Sequence, residues 1–98
     1  MQIKSEPKKA TLDIHGAFVR RVDLSRTSLR SAILDDADAT NAIFRGADFA
    51  GASLKGTILR GADLSDATNL TLEQLSQAVI DSATILPNYI DRSRLTPR

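Results

Sequence analysis

Few side chains in this sequence could do chemistry, and their spacing restricts what that chemistry would be. His15 is the one histidine, and none of the 98 residues is cysteine. The chain therefore holds neither a thiol nucleophile nor a pair of imidazoles to share a metal. Asp35, Asp36 and Asp38 stand close enough together to raise the question of a hard cation such as calcium, which oxygen ligands bind. Aspartate beside a turn, however, ordinarily bonds its own backbone, and a lone surface histidine is ordinarily just solvated. No glycine-rich phosphate loop and no zinc-ligand spacing accompanies them. The expectation is a chain with no catalytic residue, no cofactor and no metal. A second group has another character. Phe18, Arg20, Arg21, Ile58 and Arg60 combine arginine with an aromatic and a branched aliphatic residue, the composition of a protein contact site. The bland alternative is that scattered apolar surface residues are normal and that β-branched residues suit an extended edge.

Whether Phe18 and Ile58 can share a surface depends on the elements that carry them. Read in fives, the sequence runs LDIHG, AFVRR, VDLSR, TSLRS, AILDD, ADATN, AIFRG, ADFAG, ASLKG, TILRG, ADLSD. A helix repeats at 3.6 residues and a strand at 2, so neither surface produces this beat. The first column is small or apolar throughout, from Leu12 and Ala17 to Ala62. The third is apolar throughout, from Ile14 and Val19 to Leu64. Residues one and three of an extended segment point the same way, so both columns face inward and each unit is a short edge followed by a corner. All five glycines, at 16, 46, 51, 56 and 61, fall in the fifth column, where a turn demands backbone freedom.

Eleven units in register resemble the bacterial pentapeptide-repeat family, whose pattern is A-[DN]-[LF]-x-x. That resemblance implies an all-β solenoid: a right-handed quadrilateral β-helix, four units to a coil, here just under three coils. Stacking by twenties would then place Ile14, Leu34 and Leu54 on one inner side and Val19, Ala39 and Leu59 on the next. Leu24, Phe44 and Leu64 would follow, then Leu29 and Phe49. Phe18, Asp38 and Ile58 would share one outer side with Arg20 and Arg60, and Arg21 would sit at its corner.

The expected organisation is a flexible basic N-terminal arm over 1–11, the repeat over 12–69, and a C-terminal cap and tail over 70–98. In the cap, Thr71 and Gln74 have capping-box spacing, and Leu72, Leu75 and Val79 form a stripe that predicts a helix over about 72–79. Asn69 occupies a third-column place where an apolar residue is due; Asn tolerates the left-handed turn by which the chain would leave the square. The N-terminal coil has no comparable device, so a homodimer joined there, or a larger partner, is a reasonable expectation.

Charge narrows the function. Thirteen Lys and Arg face twelve Asp and Glu, a net charge of +1. A field strong enough to capture nucleic acid, or dense enough to imitate it, is absent. Some relatives in the family are acidic rods that mimic DNA and bind type II topoisomerases such as gyrase; this chain lacks that acidity, and direct nucleic-acid binding lacks stacking aromatics. The leading expectation is a non-catalytic scaffold for another protein. With no cysteine, no apolar leader behind the basic residues and no membrane span, the expected location is cytoplasmic.

Overall fold

The computed structural model describes residues 12–95, so the arm expected over 1–11 lies outside the described residues. From Leu12 onward the five-residue beat is a repeated turn. At each of eleven corners, from Ile14–Ala17 to Leu64–Ala67, a first-column N–H donates to the preceding third-column carbonyl at 3.0–3.3 Å. The fifth-column residue between them always has positive φ, from 58° at Arg26 to 70° at Gly51, whereas no fourth-column residue does. This is type II turn geometry, which asks for glycine or asparagine at that place. Gly46 and Gly51 meet the demand without a Cβ; Asn41 and Asp66 meet it as the residues that best tolerate it.

Between corners the chain is extended and pairs in parallel with the residue twenty positions on: Asp13 with Ile33, Phe18 with Asp38, Asp23 with Ile43, Ser28 with Asp48, and again from there to Ser53, Ile58, Asp63 and Thr68. Twenty residues with a corner every five make one rung, so rungs one, two and three are 12–31, 32–51 and 52–71. The chain is a β-solenoid. Its ladder consists of isolated bridges among the described residues, because each edge is three residues long and only its middle residue uses both its N–H and its carbonyl between rungs.

The interior follows from the two inward columns. Leu34, Ala39, Phe44 and Phe49 of rung two are all fully buried. The two rings pack tilted, with centroids 5.5 Å apart and planes at 56°, and the small Ala39 balances their volume within the layer. Thr57 is buried in the first column, where its hydroxyl donates to the Leu34 carbonyl at 2.7 Å, so the polar side chain fully buried there is satisfied. Rung one differs. Leu12 and Val22 remain 44% and 39% exposed, since no described residue lies beneath them.

Past rung three the repeat gives way to the cap. Asn69, at φ 59°, is exposed and turns the chain out of the shaft. Helix α1 (Leu72–Ser76) follows, its first turn closed by the Thr71–Gln74 capping box. It is shorter than the stripe predicts, because Val79 leaves the helix to pair with Ile58 on the ladder. Ile85 then pairs with Asp63. These partners lie 21 and 22 positions apart instead of twenty, which is why the beat of five is lost from the sequence while pairing continues. Polar side chains finish the end. The Gln74 amide donates to the Phe49 and Ala52 carbonyls at 2.9 Å each, the Thr84 hydroxyl to the Leu59 carbonyl at 2.8 Å, and the Tyr89 hydroxyl to the Ala67 carbonyl at 2.6 Å. No helix among the described residues is long and apolar enough to cross a membrane.

Candidate functional site

The residues that could do chemistry are mostly occupied with the backbone. Second-column aspartates accept the N–H two residues on: Asp13 from His15, Asp23 from Ser25, Asp38 from Thr40, Asp48 from Ala50 and Asp63 from Ser65, all at 2.9–3.1 Å. The same device recurs in the cap at Asp81 and Asp91. Hydrogen bonds to the charged form hold these carboxyls below the usual carboxylate range; for Asp38 the Thr40 hydroxyl is the largest cause, with Arg20 and Arg60 adding to it. Within the acidic cluster, Asp35 accepts from the Ser53 hydroxyl and Asp38 from Thr40, so those two side chains already have separate partners. His15 is engaged rather than merely solvated: its Nδ1 lies 2.7 Å from Asp13 Oδ1, and this bond raises the imidazole above its ordinary value.

The arginine-bearing side is assembled by the ladder. Phe18, Asp38 and Ile58 stand one above another through consecutive bridges. Arg20, Thr40 and Arg60 follow in the fourth column, where Arg21 N–H donates to the Thr40 carbonyl and Asn41 N–H to the Arg60 carbonyl at 3.0 and 2.8 Å. Phe18 is 83% exposed, whereas Ile58 is half-buried between Asp38 and Val79. Arg20 Nε approaches Asp38 Oδ2 at 3.5 Å, and Arg30 with Asp48 and Arg45 with Asp63 repeat that rung-to-rung pairing. Exposed pairs of this kind contribute little to stability. The guanidinium groups of Arg21 and Arg60 make no hydrogen bond or ion pair with another described residue. At the corner, Arg20, Arg21 and Asn41 line a cavity of about 250 Å³. Asn41 is the member that sequence reading misses: it looks like a turn residue, and its nearness to Arg21 depends on the twenty-residue rung.

A ladder closed every twenty residues and turns at every fifth define a repeat solenoid. The model for pentapeptide repeats, written as eight copies, matches residues 13–46, 32–68 and 42–79, and the chain belongs to this family. Among the solved structures similar to it are two pentapeptide repeat proteins. A pentapeptide repeat protein from the cyanobacterium Cyanothece 51142 is 30% identical, with a TM-score of 0.69, over 79% of this chain and 52% of that one. A pentapeptide repeat protein from the Arabidopsis thaliana thylakoid lumen is also 30% identical, with a TM-score of 0.61, over 91% of this chain and 67% of that one. The chain thus spans about half the length of the first. No curated protein matches.

Proposed function

We propose that this chain is a non-catalytic protein-interaction module. A right-handed, four-sided shaft of just under three coils, closed by its C-terminal helix, would offer the side bearing Phe18, Arg20, Arg21, Ile58 and Arg60 to a partner protein. The observation that carries the reading is the register of that side, which stacks Phe18 and Ile58 in one column beside Arg20 and Arg60. An exposed ring next to guanidinium groups, of which Arg21 and Arg60 have no side-chain partner among the described residues, supplies both apolar area and directional donors, the two ingredients of a contact hot spot. A rigid scaffold lowers the entropy lost on association. Balanced charge supports a protein partner over a polyanion, and the cysteine-free composition supports a cytoplasmic site of action.

The test is affinity capture from the source organism with the wild-type chain and with the Arg20→Glu, Arg60→Glu double variant, each bound protein being identified and its affinity measured. The expected result is a partner whose affinity drops about tenfold or more in the variant. A partner held equally well by both proteins would remove this side from consideration.

A further inference from the structure

The start of the shaft carries an incomplete ladder. On rung two the second-column N–H groups of Asp38, Ile43 and Asp48 donate to Ala17, Val22 and Thr27 of rung one at 2.9–3.1 Å. The equivalent N–H groups of rung one, on Phe18, Asp23 and Ser28, donate to no described residue, and neither do the Phe18 and Asp23 carbonyls accept from one. Such an edge is a template for an added extended segment, which would pair by its main chain and place alternate side chains on either side. Val22 stays exposed at this end, and Val19 and Leu24 half-exposed, ready to receive apolar side chains.

Two corners of the same rung carry a long side chain where the others carry glycine or a short polar residue. Arg21 and Arg26 hold φ of 62° and 58° at places that higher rungs fill with Asn41 and Gly61 or with Gly46 and Asp66. A bulky side chain is disfavoured in that conformation, and strain kept in a structure points toward use. Neither guanidinium is bonded to a described residue. Asp23, between them, feels Arg26 but turns its carboxylate to the Ser25 N–H and hydroxyl, at 2.9 and 2.5 Å. Arg21 also lines the 250 Å³ cavity with Arg20 and Asn41.

We propose that the Arg20–Arg21–Asn41 corner and the Arg26 corner are carboxylate-binding points by which the open rung-one edge captures an extended acidic segment of another protein. This rests on reading the chain as an interaction module, and it adds the place and chemistry of the contact. Charge selects the occupant. Residues 1–11 carry Lys4, Lys8 and Lys9 against Glu6, the same sign as the corners. A second copy would set Arg21 and Arg26 against their own kind. Nucleic acid asks for a continuous cationic track, and here Asp13, Asp23 and Asp38 interrupt it.

The probe is a terminally blocked octapeptide alternating glutamate and valine, with a glutamine–valine peptide as control, titrated into the isotope-labelled full chain. The glutamate peptide is expected to shift the Phe18, Asp23 and Ser28 amide resonances saturably, and the control to bind at least about tenfold more weakly, a ~1.4 kcal/mol difference. Arg21→Gln with Arg26→Gln should weaken the glutamate peptide by a similar factor, whereas Arg60→Glu, on the outer side, should change it less than about twofold. Equal binding of both peptides, an affinity indifferent to the corner variant, or a loss of equal size in Arg60→Glu would each overturn the proposal. So would displacement of the peptide by a lower concentration of duplex oligonucleotide, or a dimer whose buried rung-one amides refuse the peptide. If partner capture needs Arg60 but the peptide is ignored, the edge fails and the outer side stands; peptide binding without dependence of capture on Arg60 supports the edge alone.

Discussion

Ala39 is the smallest residue in the third column, and it is fully buried in rung two with Leu34, Phe44 and Phe49. Replacing it with leucine inserts three heavy atoms into a layer with no exposed member. The Ala39→Leu protein is expected to lose roughly 1–3 kcal/mol, seen as a lower melting temperature, and an unchanged melt would contradict the layer assignment. A second residue-scale prediction concerns His15 and Asp13. Their hydrogen bond raises the imidazole and lowers the carboxyl. By linkage, the histidine's contribution is present below its unfolded value and lost as pH rises through the raised one; the aspartate's is present above its unfolded value and lost as pH falls through the lowered one. The pair is therefore strongest between about pH 4 and 6.5. In an NMR titration the His15 midpoint should lie above the free value of about 6.5, and Asp13→Asn should bring it back. An identical midpoint in both proteins would show that the bond does not form in solution.

At the scale of elements, α1 is too short to be stable alone, at five residues, so its place depends on what it bonds to. Gln74 joins the helix to the shaft: its carbonyl oxygen accepts from the Thr71 N–H at 2.8 Å while its amide serves the Phe49 and Ala52 carbonyls. Gln74→Ala leaves the Ala52 carbonyl and the Thr71 N–H without that partner, while the Phe49 carbonyl keeps the Ala52 N–H, and should cost about 1–3 kcal/mol, against a change of a few tenths for the exposed neighbour Glu73→Ala. Thermal or urea unfolding measures both. Equal effects would mean that the cap is held by apolar contact through Leu75 alone. The capping box was legible because Thr71 and Gln74 are neighbours in sequence. The helix end was not, because Val79 obeys the ladder of Ile58, which no helical periodicity records.

For the whole molecule, the two ends are unequal. The C-terminal end is closed by α1, by pairing at Val79 and Ile85, and by the Thr84 and Tyr89 hydroxyls. A chain ended after Asn69 would expose the rung-three edge and the buried Leu54, Leu59 and Leu64. Light scattering is expected to show concentration-dependent association of that chain, or circular dichroism to show its unfolding, whereas a monomer as stable as the full chain would deny the cap its role.

Sequence alone determined the phase of the fold: which residues point inward, where the corners fall, and which aspartates serve the backbone. Each of those is written within five consecutive residues, so Ala39, Gly46 and Asp48 declare themselves locally. Only the tertiary structure decided what lies beside what across a rung. Arg20 meets Asp38 eighteen positions on, Asn41 joins Arg21 at a corner, and Val79 pairs with Ile58 after a shift to twenty-one. The physical reason is that hydrogen bonds between rungs set these neighbours, and a bond between distant edges leaves no local period in the chain that makes it.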